Sequence, residues 1–311
     1  MGTGLRPTAT LPILMPADQT ITAAVASAAQ RLVRAGCDTP QLDAEVLLAY
    51  TLQEERSRLY LKPEARLDQA QLVTFSRLIA RREKREPVAY IVGHKAFFAL
   101  DFLVNRHVLV PRPETELLVE TALEMMNDQT GPRAAEADGD MRRVIADVGT
   151  GSGCIAIALA RHITSATVFA SDISVQALKL ARRNAGRLGV SSNIRFMVGD
   201  LLTPYGVALD LIVSNPPYVS QVELESPGTA PEIGLYEPSL ALDGGLNGLD
   251  IIRRVLSQAK KRLKSNGSLL VEIGSDQGQS IIELGRIHFP QASIEIKQDL
   301  AGLDRLLVVK N

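Results

Sequence analysis

The stretch Val144-Ile145-Ala146-Asp147-Val148-Gly149-Thr150-Gly151-Ser152-Gly153 decides which fold this sequence predicts. Its first five residues have the length and mostly apolar character of a buried strand, and residues 155–162 continue as an apolar helix. Glycine allows the backbone to pass close to a ligand, and the N-terminus of a helix favours an anionic group. The stretch therefore predicts a ligand-binding turn between the first strand and the first helix of an α/β domain.

Strand and helix patterns alternate from this turn to the C-terminus. The predicted strands cover residues 144–148, 167–171, 194–198, 209–214, 268–273, 293–297 and 306–309, and the predicted helices cover residues 155–162, 175–188, 250–263 and 277–288. Strands that alternate with helices form mainly parallel sheets covered on both faces. The predicted fold class is α/β, with a doubly wound, mainly parallel sheet of seven strands.

The N-terminal part of the chain has a helical pattern instead. Ile21, Val25, Ala28 and Leu32 recur at helical spacing, and later apolar faces continue this pattern to residue 86. Residues 88–93 and two short runs after them have strand character and predict a connector hairpin. We expect the following division: a flexible N-terminus over 1–17, a helical domain over 18–86, the connector over 87–110 and a catalytic domain over 111–311, with a surface loop at 127–141.

Composition excludes several classes of protein. The 311 residues are 46% hydrophobic and carry a net charge of −1, so the chain has no general attraction to nucleic acid or anionic membranes. Its two cysteines, Cys37 and Cys154, lack disulfide or zinc-ligand spacing. No apolar run has the length of a membrane span. We therefore expect a cytoplasmic protein that binds neither a metal nor a membrane, and that forms no stable complex with nucleic acid.

The segment Asn215-Pro216-Pro217-Tyr218 directly follows the apolar strand at 209–214. Ligands bind at the carboxyl ends of strands in open α/β sheets. The prolines fix the backbone and remove two donors, which leaves the Asn215 side chain and the Pro216 carbonyl to accept hydrogen bonds from a planar NH2 group, with the Tyr218 ring beside them. The segment therefore indicates a site for an amide or an exocyclic amine. The alternative is a turn that is merely stiffened by proline.

The glycine turn alone leaves two cofactors open. Residues 151–156 also fit the dinucleotide pattern G-x-G-x-x-G/A, and Asp172, at the end of the second strand, could bind ribose hydroxyls in either class. Asp147 suits a cationic amino-acid group, and the Asn-Pro-Pro-Tyr segment has no task in hydride transfer. These two features favour S-adenosylmethionine over NAD.

Six segments together resemble the HemK family of release factor glutamine methyltransferases over nearly the whole chain. They are Leu42-Asp43-Ala44-Glu45-Val46-Leu47-Leu48, Glu86-Pro87-Val88-Ala89-Tyr90-Ile91-Val92-Gly93, Leu109-Val110-Pro111-Arg112-Pro113-Glu114-Thr115-Glu116, Asp147 to Gly153, Asn215 to Tyr218, and Tyr236-Glu237-Pro238-Ser239-Leu240-Ala241-Leu242. Two positions depart from the family pattern: Ala96 stands where the family usually has Glu, and Leu201 stands where it commonly has an aromatic residue. Residues 112–116 are explained as a helix start with proline at its first position, and the resemblance leaves open the alternative that they line the site.

The resemblance implies a class I methyltransferase fold and methyl transfer from S-adenosylmethionine, with S-adenosylhomocysteine as product. The acceptor would be the side-chain N5 of the glutamine in the Gly-Gly-Gln motif of class I release factors, which the helical domain would recognise. The implied catalytic residues are Asn215, Pro216 and Tyr218, and Pro217 joins them in substrate binding. The expected cofactor-binding residues are Asp147, Gly149, Thr150, Gly151, Ser152, Gly153, Asp172, Asp200, Leu201 and Asn215.

Three other functions remain open at this point. An adenine-N6 nucleic-acid methyltransferase could bind a flipped adenine at Asn215-Pro216-Pro217-Tyr218. An NAD-dependent oxidoreductase fits the glycine turn, and a catalytically inactive binding protein would also fit the fold. Asp200, which we expect near the adenine amino group, could instead cap a turn.

Overall fold

A computed structural model describes residues 19–128, 142–226 and 228–311 of the chain. They divide into two compact units, Met1–Gly93 and His94–Asn311, each with its own apolar core. The expectation for residues 1–17 lies outside the described residues, as does most of the loop expected at 127–141; residues 127 and 128 end a helix instead. None of the helices in the described ranges is long and apolar enough to cross a membrane.

The helices and strands assigned between residues 21 and 92 are all helices, which agrees with the small N-terminal helical domain of the predicted fold class; the unit extends to Gly93, beyond the expected boundary at residue 86. Its helices are α1 (Ile21–Arg34), α2 (Pro40–Leu52), α3 (Arg56–Leu61), α4 (Gln69–Arg82) and α5 (Val88–Val92). Two of them begin at side-chain caps, because Thr20 accepts from the backbone of Ala23 and Asp68 forms a capping box with Gln71. The core contains Leu32, Leu47, Leu48, Phe75 and Ile79, all fully buried.

The prediction of a strand at residues 88–93 was wrong. This segment forms α5, which ends at Gly93 in the left-handed conformation. A short buried apolar run fits a helix or a strand equally well by periodicity. The hairpin starts directly after Gly93. It consists of β1 (His94–Phe97) and β2 (Leu100–Leu103), and Phe97 packs in the core of the second unit.

The second unit is built on a seven-stranded sheet in the order β5-β4-β3-β6-β7-β9-β8. Its strands are β3 (Val144–Val148), β4 (Thr167–Asp172), β5 (Ile194–Val198), β6 (Leu209–Ser214), β7 (Leu263–Glu272), β8 (Ser293–Gln298) and β9 (Asp304–Lys310). Only β9 runs antiparallel to its neighbours, so the mainly parallel sheet is confirmed. One predicted boundary was wrong. The helix before β7 was expected to reach residue 263 but ends at residue 259, and β7 begins at residue 263 instead of residue 268.

Helices cover both faces of this sheet, as the alternation predicted. They are α6 (Glu116–Asp128), α7 (Cys154–His162), α8 (Val175–Arg187), α11 (Asp250–Ala259) and α12 (Gly278–His288). Two short helices, α9 (Gln221–Leu224) and α10 (Pro231–Tyr236), lie in the segment between β6 and α11 and bury no residue. Alternate residues of β3 enter different cores: Ile145 joins residues of α6 and α7, whereas Ala146 joins residues of α11 and α12. This alternation is the period-two pattern of a strand buried on both sides.

The strand order places a topological switch point beside β3. The chain leaves β3 toward β4 on one side, and later returns to pair β6 with the other side of β3. Val148 lies opposite Ser214, whose hydroxyl donates to the Val148 carbonyl at 2.8 Å. The turns that follow these two strands therefore begin side by side, at the position where such sheets bind ligands.

We predict that Asn184→Ala destabilises the second unit by about 3 kcal/mol, because the Asn184 side chain is fully buried and its loss leaves several backbone groups without partners. Its amide donates to the carbonyls of Leu103 and Ser152 and accepts from the Leu103 N–H, all at 2.9–3.0 Å. Urea unfolding measures the change. Asn193→Ala is the matched control, since that side chain contacts only the exposed Ser192 hydroxyl, and we expect a change below about 0.5 kcal/mol. Equal effects of the two variants would contradict the prediction.

Candidate active site

The glycine turn after β3 is held open by backbone conformation. Gly149, Gly151 and Gly153 all have positive φ, between 55° and 83°. At Gly153 a Cβ atom would lie 3.0 Å from the Ile157 side chain and 3.1 Å from that of Ala181, so both conformation and space require glycine there. The turn thus leads into α7 with its backbone exposed to a cavity on the other side.

Asp147 organises this turn from behind. It is fully buried, and one of its carboxylate oxygens accepts from the Thr150 hydroxyl at 2.6 Å and from the Ala156 N–H at 3.0 Å. The other oxygen has no hydrogen-bond partner among the described residues, and burial raises the pKa of Asp147 to about 7. Asp147 does not line the cavity, so its contact with a cationic group stays a prediction.

A cavity of about 290 Å³ lies in front of the glycine turn and brings together most of the expected cofactor-binding residues. Those that line it are Gly149, Thr150, Gly151, Ser152, Asp172, Asp200, Leu201 and Asn215. Gly153, like Asp147, lies outside the lining. Ile173 and Ala177 add apolar surface beside the carboxylate of Asp172. A cavity with a glycine-rich floor, a carboxylate and an apolar side fits a nucleoside attached to a small polar chain.

The two acids of the cavity differ in their surroundings. Asp172 accepts from the Gly151 N–H at 2.9 Å and from the Ser174 N–H at 2.8 Å, while burial raises its pKa. Asp200 is exposed and its carboxylate forms an ion pair with Arg254, so its side chain caps no turn here. Asp172 is therefore a fixed acceptor, and Asp200 marks the outer end of the cavity.

Asn215 lies between this cavity and a second one of about 340 Å³. Its side-chain nitrogen donates to the hydroxyl of Thr115 at 3.1 Å, and Thr115 is 2% exposed. The lining of the second cavity is mainly apolar, and it also includes Tyr218 and the charged Arg112. Pro217 lines the first cavity, whereas Pro216 is buried and lines neither. Asn215 is thus the side chain of the tetrapeptide that both cavities share.

Tyr218 is held by one hydrogen bond at its hydroxyl and one at its backbone carbonyl. Its hydroxyl donates to the carboxylate of Glu272 at 3.3 Å, and the Gln277 side chain donates to its backbone carbonyl at 2.9 Å. Burial raises the pKa of Tyr218 well above its ordinary value, so its hydroxyl keeps its proton at neutral pH. The ring is therefore a fixed wall of the second cavity.

Arg112, Thr115, Glu237 and Glu272 were not assigned roles from the sequence. Arg112 lines both cavities and pairs with the buried Glu237 at 2.6 Å. Thr115 lines the first cavity, so residues 112–116 contribute to the site as well as starting a helix. One signal was available for Glu272, because an acid at the end of the apolar run Leu269-Leu270-Val271 is out of place in a buried strand.

The remaining candidate groups do not form a reactive centre. Burial raises the pKa of the Cys154 thiol to about 12, so the thiol is not an activated nucleophile at neutral pH. Over residues 19–128, 142–226 and 228–311, no group of three His, Cys, Asp or Glu side chains is arranged to hold a metal ion.

Known proteins match the chain in both units. Residues 23–93 match the PrmC N-terminal domain family, and residues 134–229 match the methyltransferase small domain family. The release factor glutamine methyltransferase of Moorella thermoacetica is 40% identical over 287 residues, which are 92% of this chain and 96% of that protein. The protein of the same name from Nitratidesulfovibrio vulgaris is 39% identical over 91% of this chain and 92% of its own length.

Among solved structures, the hMettl16 catalytic domain in complex with the MAT2A 3'UTR hairpin 1 is similar in fold. It superposes with a TM-score of 0.52 at 16% identity, and covers 75% of this chain and 80% of that one. At this identity the likeness concerns the fold alone, and it agrees with the class I methyltransferase architecture of the sheet.

We predict that Asp172→Asn weakens binding of S-adenosylmethionine by roughly 1 to 3 kcal/mol, since it removes a charged acceptor from the cavity. Isothermal titration calorimetry with S-adenosylmethionine, and in parallel with NAD, measures the change. Asp210→Asn is the matched control: Asp210 is a carboxylate on β6 that accepts from the Val144 N–H and from Lys264, and it does not line the cavity. Unchanged affinity in Asp172→Asn, or tighter binding of NAD by the unsubstituted protein, would contradict the assignment.

Proposed function

Because the chain belongs to the family of release factor glutamine methyltransferases, we propose that it methylates the side-chain nitrogen N5 of the glutamine in the Gly-Gly-Gln motif of class I release factors, using S-adenosylmethionine. The single observation that supports the chemistry best is Asn215, held by Thr115 at the boundary of two cavities. One cavity suits the methyl donor, and the other suits the acceptor side chain.

The residues of the first cavity fit S-adenosylmethionine. The glycine turn offers backbone without side chains to the amino-acid part, and the carboxylate of Asp172 offers acceptors to the ribose hydroxyls. Ile173 and Leu201 provide apolar surface for the adenine. When bound, this cofactor supplies a methyl group on a positively charged sulfur. The unpartnered oxygen of Asp147 contributes negative potential behind the turn in its ionised form.

Asn215 and Pro216 activate the acceptor amide in this proposal. An amide nitrogen is a poor nucleophile because resonance withholds its lone pair. The Asn215 nitrogen already donates to Thr115, so its oxygen is left to accept one N–H of the glutamine. The proposal assigns the other N–H to the Pro216 carbonyl by family resemblance alone, because Pro216 is buried and lines neither cavity. Two acceptors orient the nitrogen and increase its electron density, and no strong base is needed because the proton becomes acidic only as the methyl group arrives.

The proposed substrate has consequences for the location of the enzyme and for the use of the second cavity. A translation factor as acceptor supports a cytoplasmic location, and the net charge of −1 gives no general affinity for nucleic acid. The apolar lining of the second cavity suits a narrow glycine-containing segment with a single amide at its tip. Tyr218 then packs against the plane of that amide.

We predict that Asn215→Ala lowers kcat for methylation of a release factor by roughly 100- to 1,000-fold and leaves the affinity for S-adenosylmethionine within a factor of about three. Transfer of a labelled methyl group followed by peptide mapping measures the rate and the modified residue. Asn193→Ala again serves as the control and should retain the full rate. A loss of cofactor affinity that matches the loss of rate would make Asn215 a binding residue instead.

The helical unit is proposed to recognise the body of the release factor. Apolar side chains are exposed on α3, where Tyr60 is 63% and Leu61 is 68% exposed. Single exposed apolar residues are common, but two adjacent ones on a six-residue helix form a small contact surface.

We predict that Leu61→Ser lowers kcat/KM for full-length release factor by roughly 5-fold and leaves kcat/KM unchanged for a short Gly-Gly-Gln peptide, because the proposal assigns the contact with α3 to the body of the factor, which the peptide lacks. Ile287→Ser is the matched control in the second unit, at 69% exposure. The measurement is the initial rate of the wild type and of both variants with the full-length factor, with the peptide and with an adenine-containing oligonucleotide. Methylation of the oligonucleotide without methylation of the protein would favour the adenine-N6 alternative.

A further inference from the structure

A buried carboxylate lies directly behind Asn215. Glu272 is the last residue of β7, is 1% exposed, and follows the apolar Val271 on the strand. Its carboxylate accepts from the hydroxyls of Thr115 and Tyr218, and its second oxygen has no hydrogen-bond partner among the described residues. Burying an acid against neutral donors is unfavourable compared with an apolar or amide side chain. Folding alone therefore gives no reason for an acid at this position.

We propose that Glu272 is a positioning residue that acts through Thr115 to hold the Asn215 amide with its oxygen toward the acceptor glutamine. This inference rests on the proposed function and adds a role for two residues outside the tetrapeptide. It concerns the direction of the hydrogen bonds from Asn215 to Thr115 and from Thr115 to Glu272.

The direction follows from the single proton of the Thr115 hydroxyl. A carboxylate can only accept, so this proton points to Glu272 and the Thr115 oxygen has only lone pairs left for Asn215. Asn215 must then present its NH2 group to Thr115, at 3.1 Å, and its oxygen faces the other way. The outward oxygen is the acceptor that an N–H of the substrate needs.

Without the carboxylate this preference disappears. The terminal torsion of asparagine is broad and nearly two-fold, so the amide can turn over at little cost. A neutral partner would let Thr115 donate to the Asn215 oxygen and turn the NH2 group toward the substrate amide, where donor would meet donor. The same carboxylate also holds the Tyr218 hydroxyl, so one group fixes two walls of the acceptor site.

The charged and titratable groups around Glu272 set when it is ionised. Arg305 on β9 favours the ionised form, whereas Glu114, beside Thr115, opposes it, and Tyr218 faces it with a neutral hydroxyl. The Cys154 thiol of α7 lies close enough to interact and stays protonated. Burial dominates and raises the pKa of Glu272 to about 7. The carboxylate needed to order Thr115 is therefore lost as pH falls through about 7, and methyl transfer should slow in the same range.

The first test uses Thr115 itself. We expect Thr115→Val, which removes the hydroxyl at nearly constant volume, to lower kcat by roughly 10- to 100-fold with KM and S-adenosylmethionine affinity within about twofold. Thr115→Ser keeps the hydroxyl and should restore the rate to within a few-fold. Thr121→Val is the matched control, because Thr121 is also 2% exposed on α6 and its hydroxyl accepts only from Lys297. Equal losses in Thr115→Val and Thr121→Val, or no rescue by serine, would overturn the proposal.

The second test asks whether the effect passes through Asn215. In an Asn215→Ala background, Thr115→Val should cost almost no further rate, since the group that it positions is gone. An additional loss of the full size would mean that Thr115 acts independently of Asn215. In the wild type, kcat should increase as pH rises through 7, and Glu272→Gln should remove this increase. The variant is needed because Asp147 has a pKa in the same range and could cause a similar increase. A rise that persists unchanged in Glu272→Gln would assign it elsewhere.

The third test does not depend on the acceptor. Selective 15N labelling of asparagine, with Asn215→Ala to identify the signal, reports the Asn215 side-chain NH2 in the free enzyme. We expect its shift to titrate near pH 7 and to lose this dependence in Glu272→Gln and in Thr115→Val. If release factors are not methylated by the wild-type protein, the proposed function fails while this signal still decides the positioning role. A resonance that is insensitive to pH in the wild type would overturn that role even if Glu272→Gln did not fold.

Discussion

The pairing of β3 with β6 is the constraint on which the site depends. These strands are far apart in sequence, yet Val148 lies opposite Ser214, and the Ser214 hydroxyl bonds to the Val148 carbonyl. The glycine turn and the Asn-Pro-Pro-Tyr segment extend from these two strand ends, so their separation is set by the spacing of neighbouring strands, about 5 Å. In the proposed function, this pairing brings a methyl donor at one turn close to an amide at the other.

The groups around this centre are held by buried polar contacts from segments distant in sequence. Glu237 holds Arg112, Thr115 holds Asn215, and Glu272 contacts both Thr115 and Tyr218. Such contacts fix side chains before a substrate arrives, so little reorganisation is left for the reaction step. They also explain why the segment at 109–116, which looks like an ordinary helix start, matters to the site: Leu109 and Arg112 line both cavities.

The sequence predicted most of the sheet and the two turns, because buried strands and glycine turns have strong local patterns. It missed α3 and misassigned residues 88–93, where a short apolar run carries no period. Around the cavities, it singled out Asn215 and Asp172 but assigned no role to Thr115 or Glu272. Their roles depend on contacts between segments more than 50 residues apart, and no local pattern encodes such contacts. The membership of the chain in the methyltransferase family confirms the function that the motifs indicated together.

Two fully buried acids also affect how the fold responds to pH. The pKa values of Asp147 and Glu272 are raised from 3.8 and 4.5 to about 7 by burial. Between about pH 4 and 7 the folded protein therefore binds more protons than the unfolded chain does, and folding takes protons from the buffer. The free energy of unfolding from these two groups falls as pH rises across that window and levels off above it. These two acids therefore contribute least to the free energy of unfolding above about pH 7, where the proposed function uses their ionised forms, so folding stability would be lost in exchange for ordered acceptors.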